Sequence, residues 1–314
     1  MNRYAWKRVG LAIPTLLGVS LIIFALAHIM PGDPVNILLP EDASVEDKQR
    51  ITELLGLDKP LPVQFGIWLL NALQGNLGMS IGMRSPVIGL LGTALWNTFI
   101  LGAAAGLFGF FFGTLLGTIS AFRRGGWVDK LVSAIGLAGI SVPAFWLAFL
   151  LIVVFSVELH WLPSSGMNKI GGGGWLDSLQ HLIMPAIAIG VSTVGMMARM
   201  VRASMIQVLT EEFVVTLKAK GMLRGRVLWH IFRNVAPPVL TVTGLEIGSL
   251  LSGSVLVETI FNWPGIGSLL NQAIGLRDIP LIQGGVLIIA LIFVLVNLLI
   301  DLVHSSVDPR IQRS

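Results

Sequence analysis

The chain has 314 residues, of which 54% are hydrophobic and 12% charged, with a net charge of +4 and a mean hydropathy of +0.82. Soluble domains carry about 25% charged residues, so this composition excludes a disordered chain and an ordinary cytosolic enzyme. Cysteine is absent, which excludes a disulfide framework, a thiolate zinc site and a cysteine nucleophile.

Crossing a bilayer takes about 20 mostly apolar residues per helix, and six runs qualify. The first covers residues 9–30, after a basic start of Arg3, Lys7 and Arg8. Ala25-Leu26-Ala27 resembles a signal-peptide cleavage site, but the run is longer than the usual apolar region of about 7–15 residues and five more runs follow. It is taken as a span. A long connection, 31–98, comes next. Pro31-Gly32-Asp33-Pro34 stops the helix and turns the chain, and residues 46–57 form a polar helix. Over 63–73, Val63, Ile67, Leu70 and Leu73 share a helical face beside Trp68, the pattern of a helix lying on a membrane surface with its tryptophan at headgroup level. His28, just before this connection, is a lone histidine and is assigned to interfacial structure.

The second span is 99–122. Gly102 and Gly106, then Gly109, Gly113 and Gly117, recur every four residues along it, which lets helices approach closely. Pro143 interrupts the third span, 131–155, and predicts a kink. Gly171 to Gly174 form a flexible linker, because a phosphate loop needs Gly-Lys-Ser/Thr and no Gly-Lys pair occurs in the chain. The fourth span is 181–201. The fifth, 239–260, carries small residues at Gly244, Gly248 and Ser252, and also Glu246. A carboxylate within a span is costly and marks a path or an interior. Two readings stand for Glu246: a translocation-path group that favours a cationic substrate such as a peptide amine, or a carboxylate neutralised by a hydrogen bond near a helix end. The sixth span, 281–303, has Asp301 near its end.

Residues 202–238, between the fourth and fifth spans, are the most basic connection. Glu212 opens a run that closes on Lys218 and Lys220, an order that complements the helix dipole. Phe213 and Leu217 share one face. Gly221 breaks this helix, a second basic stretch with Arg224, Arg226, His230 and Arg233 follows, and Pro237-Pro238 ends it. A helix–glycine–helix unit suits docking of a cytoplasmic partner; a solvated loop that sets topology or binds anionic lipid is the alternative. Fifteen of the 21 lysines and arginines fall at the two termini, in the second and fourth connections and, as Arg199, at the end of the fourth span, so both termini are placed in the cytoplasm.

At this connection the sequence resembles a known family. Glu212-Phe213-Val214-Val215-Thr216-Leu217-Lys218-Ala219-Lys220-Gly221, followed by Arg233-Asn234-Val235-Ala236-Pro237-Pro238, resembles the EAA loop of ABC-importer permeases of the dipeptide/oligopeptide/nickel group. The likeness continues in His28-Ile29-Met30-Pro31-Gly32-Asp33-Pro34, Leu55-Gly56-Leu57-Asp58-Lys59-Pro60 and Gly75-Asn76-Leu77-Gly78-Met79-Ser80. It extends through Phe261-Asn262-Trp263-Pro264-Gly265-Ile266-Gly267, Arg277-Asp278-Ile279-Pro280, Asn297 to Leu302 and Asp308-Pro309-Arg310-Ile311. Leu217 stands where the family usually has alanine, Pro237 where it has an aliphatic residue, and Glu246 where it often has glutamine.

The resemblance implies an all-α membrane protein with six transmembrane helices, both termini cytoplasmic, and a type I ABC-importer permease-like bundle in the bacterial inner membrane. Its expected parts are 1–30, an extracytoplasmic region 31–98, and a core 99–314 with an ATPase-docking loop at about 202–238. The docking residues it implies are Glu212, Phe213, Leu217, Ala219, Gly221 and Arg224. The helix-packing residues are Gly102, Gly106, Gly113, Gly117, Gly244 and Gly248. Trp263-Pro264-Gly265 is expected as an outside turn where a binding protein rests. Implied partners are a second homologous permease chain, two ATPase subunits, an extracytoplasmic substrate-binding protein and membrane lipid. The chain itself is expected to have no catalytic residues, metal or cofactor, with ATP and Mg held by the ATPases, and to bind no nucleic acid. The cargo is a peptide-like solute, first di- or oligopeptides, with nickel chelates, opines and glutathione-type compounds as alternatives. A membrane enzyme or an ATPase-independent transporter is a more distant alternative, and neither needs the helix–glycine–helix segment.

Overall fold

The computed structural model describes residues 2–29, 44–54, 58–169 and 171–307. Pro31-Gly32-Asp33-Pro34, Leu55 to Leu57 and Asp308 to Ile311 lie outside the described residues, as do the side chains of Ser252 and Asp301. Helices follow one another as α1 (Asn2–Ile29), α2 (Val45–Leu54), α3 (Leu61–Leu73), α4 (Val87–Phe122), α5 (Trp127–Ser141) and α6 (Ala144–Leu151). After a π-helical stretch, Ile152–Glu158, come α7 (Trp175–Leu209), α8 (Glu212–Ala219), α9 (Arg224–Ile260), α10 (Ile266–Gly275) and α11 (Ile279–Val307). Among the described residues, Gly10–Ile29, α4, α7 and Ile279–Ile300 are long and apolar enough to cross a membrane, and the α5–α6 pair makes a fifth if it is one broken span. The predicted span 239–260 lies inside the 37-residue α9.

Two compact units divide the chain. The first comprises Met1–Trp96 and Gly265–Leu298. Its core gathers Ile23, Leu77, Val87, Leu91, Ala94, Ile266, Ala273, Leu281 and Ile282. Asp278, fully buried, holds two segments of this unit together. Its Oδ1 accepts the Leu281 N–H at 3.2 Å at the start of α11, an N-cap arrangement. Its Oδ2 accepts Ser80 Oγ at 2.5 Å and the Gly82 N–H at 2.9 Å. Helices stand where two were expected, as α2 and α3. Trp68 of α3 is turned onto the Phe24 ring, 6.0 Å between centroids, and His28 Nε2 lies 3.1 Å from Gln64 Oε1.

The second unit comprises Asn97–Pro264 and Leu299–Ser314. The division expected near residue 98 thus falls inside α4. Within this unit α7 is the central helix, and glycines set how close its neighbours come. A Cβ added to Gly113 would stand 2.5 Å from Met197 Cβ, and one on Gly117 would stand 2.6 Å from the Ala198 carbonyl oxygen. On α5, a Cβ on Gly139 would stand 2.9 Å from the Val191 carbonyl oxygen. Gly106, Gly244 and Gly248 are buried and Gly102 is half-buried.

One proline expectation is exceeded and another is corrected. Pro143 does more than kink the third span: α5 and the Ala144–Glu158 segment meet at 102°. Val142 is extended there, with φ −79° and ψ 123°, as the residue before a proline prefers. Pro237 and Pro238 do not end a helix, because α9 runs through both. Their missing N–H groups free the carbonyls of Arg233 and Asn234, four residues earlier. Both residues are exposed, so water can take up those carbonyls.

Candidate functional site

The segment joining α7 to α9 is short and tightly determined. α7 ends at Leu209, Glu211 precedes α8, and α8 is two turns long. It ends in a Schellman arrangement: Gly221 N–H donates to Lys218 O at 3.0 Å and Met222 N–H to Leu217 O at 3.2 Å. Gly221 takes φ +72°, a conformation that costs other residues about 1–2 kcal/mol. The glycine read as a helix breaker is therefore the αL cap.

The buried side of α8 explains why so short a helix holds its place. Val214 is fully buried, and Phe213, Leu217 and Met222 are packed against a cluster with Met205, Val208, Val227, Ile231 and Val235. Phe213 and Leu217, expected as docking residues, thus serve to seat the helix. The outward side carries Glu211, Glu212, Val215, Lys218, Ala219 and Arg224. Val215 is 65% and Leu223 71% exposed, an apolar outer surface that the sequence reading missed. Glu212 caps nothing, since the N-cap position belongs to Glu211 and no side-chain cap bond forms. Within α9, Trp229 stacks under the Arg233 guanidinium at 5.3 Å.

In the bundle, Glu246 is half-buried and accepts a hydrogen bond from Thr193 Oγ1 at 3.1 Å. A second carboxylate, Glu258, is fully buried and accepts Thr98 Oγ1 at 2.8 Å. The rule that singles out Glu246 applies equally to Glu258, which lies within the same predicted span. Trp263 is also fully buried. Its indole Nε1 donates to Asn97 O at 3.0 Å, and Asn97 Nδ2 donates to Pro264 O at 2.9 Å. Of the turn expected as a resting place for a binding protein, Trp263 is thus an inward anchor, and within the second unit Asn262 and Pro264 are exposed.

Two further charged contacts lie at the ends of α7. Asp129 of α5 accepts Ser120 Oγ at 2.5 Å, the Gly125 N–H at 2.8 Å, and Arg202 Nε and Nη2 at 2.6 and 2.8 Å. Asp177 accepts the Lys169 N–H at 2.7 Å, and His181 Nδ1 lies 2.8 Å from Asp177 O. Among the described residues no group of three or more histidine, aspartate or glutamate side chains has the geometry to hold a metal.

Comparison with known proteins agrees with this architecture. Residues 113–313 match the family described as binding-protein-dependent transport system inner membrane component, and residues 1–95 match the N-terminal family of such membrane components. The dipeptide transport system permease protein DppB of Alkalihalophilus pseudofirmus is 39% identical, covering 99% of this chain and 100% of that protein. The di/tripeptide transport system permease protein DppB of Pseudomonas aeruginosa is 43% identical, covering 99% of each. The glutathione transport system permease protein GsiC of Escherichia coli K12 is 40% identical, covering 99% of each. Among solved structures, an inward-facing MetNI methionine ABC transporter chain aligns with TM-score 0.55 at 17% identity, over 70% of this chain and 97% of that one. That likeness concerns the fold alone. The chain belongs to the family of binding-protein-dependent transport system inner membrane components, the multi-pass permease subunits of bacterial ABC importers.

Proposed function

We propose that this chain forms half of the pathway by which an ATP-driven importer moves peptide-like solutes inward, di- and oligopeptides first. Relatives named for dipeptide, di/tripeptide and glutathione transport, each about 40% identical over nearly the whole chain, support that cargo class. Glutathione is itself a tripeptide, so it is the second cargo reading. Six spans, formed by α1, α4, the α5–α6 pair, α7, α9 and α11, put both termini in the cytoplasm. A homologous permease completes the pathway, an extracytoplasmic binding protein delivers the solute, and two ATPase subunits bind ATP and Mg and hydrolyse the nucleotide.

The single observation that carries this reading is α8: an eight-residue helix seated by Val214, Phe213 and Leu217 with a free outer surface at Glu212, Val215, Ala219, Leu223 and Arg224. A groove on an ATPase subunit accepts that surface. When the ATPases close on ATP, α8 is displaced, and its apolar seat passes the displacement to α7 and α9. The bundle then exchanges inward-facing for outward-facing states, biased by a ligand on another chain. The test is affinity purification from mild detergent of wild type, Glu212→Lys and Val215→Asp/Leu223→Asp. Two ATPase-motif proteins accompany wild type and are depleted in both variants; wild type purifying without any ATPase overturns the reading. Uptake of dipeptide, tripeptide and glutathione by cells with and without the gene then assigns the cargo.

A further inference from the structure

The turn between α4 and α5 carries three cations that no acid among the described residues pairs with. Arg123 and Arg124 follow the last residue of α4, Lys130 lies in the first turn of α5, and all three are exposed. Among the described residues no ion pair or hydrogen bond engages their side chains. Asp129 is the only acid between residues 87 and 141. It is buried, and four donors from Ser120, Gly125 and Arg202 occupy its two oxygens. It therefore leaves the local field positive.

Both helices lead apolar stripes to this turn. On α4, Phe111, Leu115, Ile119 and Phe122 are exposed at three- and four-residue spacing; on α5, Trp127, Leu131 and Ile135 are exposed four apart. The α4 stripe lies about half a turn from Gly113 and Gly117, which face α7, and so points away from it. The α5 stripe lies about a third of a turn from Gly136 and Gly139, to the side of that helix's contact with α7. Trp127 is 73% exposed at the junction of stripe and charge, the placement of an interfacial tryptophan.

We propose that the α4–α5 turn binds the headgroup of an anionic phospholipid. The phosphodiester sits among Arg123, Arg124 and Lys130, with the two guanidinium forks matching phosphate oxygens. The acyl chains run along the α4 and α5 stripes, and the Trp127 ring lies at headgroup level. The site requires the bilayer but neither ATPase nor cargo, so it goes beyond the importer reading.

Native mass spectrometry tests it on the full chain, purified with its co-expressed partners and titrated with phosphatidylglycerol or phosphatidylcholine. Wild type retains phosphatidylglycerol in preference. Arg123→Gln/Arg124→Gln/Lys130→Gln weakens phosphatidylglycerol binding roughly 10- to 100-fold and leaves phosphatidylcholine binding unchanged. Arg123→Lys/Arg124→Lys, which keeps the charge but loses the forks, binds phosphatidylglycerol more weakly than wild type and more tightly than the glutamine variant, and separates a lost site from a damaged fold. Equal phosphatidylglycerol binding by wild type and the glutamine variant overturns the proposal. So does a glutamine variant that sheds the ATPases while holding lipid, which assigns the turn to a protein partner. Wild type that binds phosphatidylglycerol but brings no ATPase sinks the importer reading and supports this one.

Discussion

Arg202 presents Nε and Nη2 to the two carboxylate oxygens of Asp129, at 2.6 and 2.8 Å, across 73 residues of sequence. The side-chain exposures are 33% for Arg202 and 6% for Asp129, so the acid is the member that suffers from losing its partner. Arg202→Gln is expected to lower stability by about 3 kcal/mol, because it strands a buried carboxylate. Adding Asp129→Asn to it recovers part of that loss, since no charge is then stranded. Thermal unfolding of the detergent-purified chain checks both, and the double variant must lose less than the two single variants together.

Gly113 and Gly89 lie on the same helix in opposite surroundings. A Cβ at Gly113 meets Met197 Cβ at 2.5 Å and Val194 O at 2.9 Å, whereas one at Gly89 meets nothing within 4 Å. Gly113→Ala is expected to destabilise by about 1–3 kcal/mol through overpacking. Gly89→Ala is expected to be neutral or stabilising by about 0.5–1 kcal/mol, from helix propensity alone. Size-exclusion profiles after a heat challenge rank the two, and equal melting would deny the close approach of α4 to α7.

The two glycines flanking Leu223 make a similar contrast. Gly221 has φ +72°, while Gly225 does not have positive φ and has open space around it. Gly221→Val strains the end of α8 by about 1–2 kcal/mol, and ATPase co-purification falls while the chain still enters the membrane. Gly225→Ala keeps the ATPases. Immunoblots of membrane and pull-down fractions read both effects.

Glu246, bonded to Thr193, is half-buried, whereas Glu258 is fully buried. If it meets a cationic group in transit, Glu246→Gln removes a charge-assisted contact of about 1.5–3 kcal/mol. Uptake of a lysine-containing dipeptide then falls at least about 10-fold, with alanyl-alanine uptake unchanged. Parallel uptake assays decide it: an equal response of the two peptides assigns Glu246 to helix packing.

Much of the fold is visible in hydropathy because a bilayer makes the length of an apolar run informative. The helix over residues 63–73 and the glycine stop after α8 were legible for equally local reasons, an apolar period and an αL-permissive residue. Local rules misled at Pro237-Pro238, where α9 continues because exposed carbonyls tolerate the missing N–H groups. They misled again at Trp263, an indole next to Pro-Gly that looks like a surface turn. Neither residue type reports whether a neighbouring helix covers it.

By itself the sequence determined the membrane class, the helical architecture, the family and the position of the helix–glycine–helix segment, since each follows from composition, period or contiguous motif. The tertiary structure decided the pairings: Ser80 with Asp278 across 198 residues, Thr98 with Glu258 across 160, and Arg202 with Asp129. It also decided that Phe213 and Leu217 face inward while Val215 and Leu223 face out. Such contacts depend on how helices pack against one another. A side chain's own sequence neighbourhood carries no record of the partner that packing brings to it.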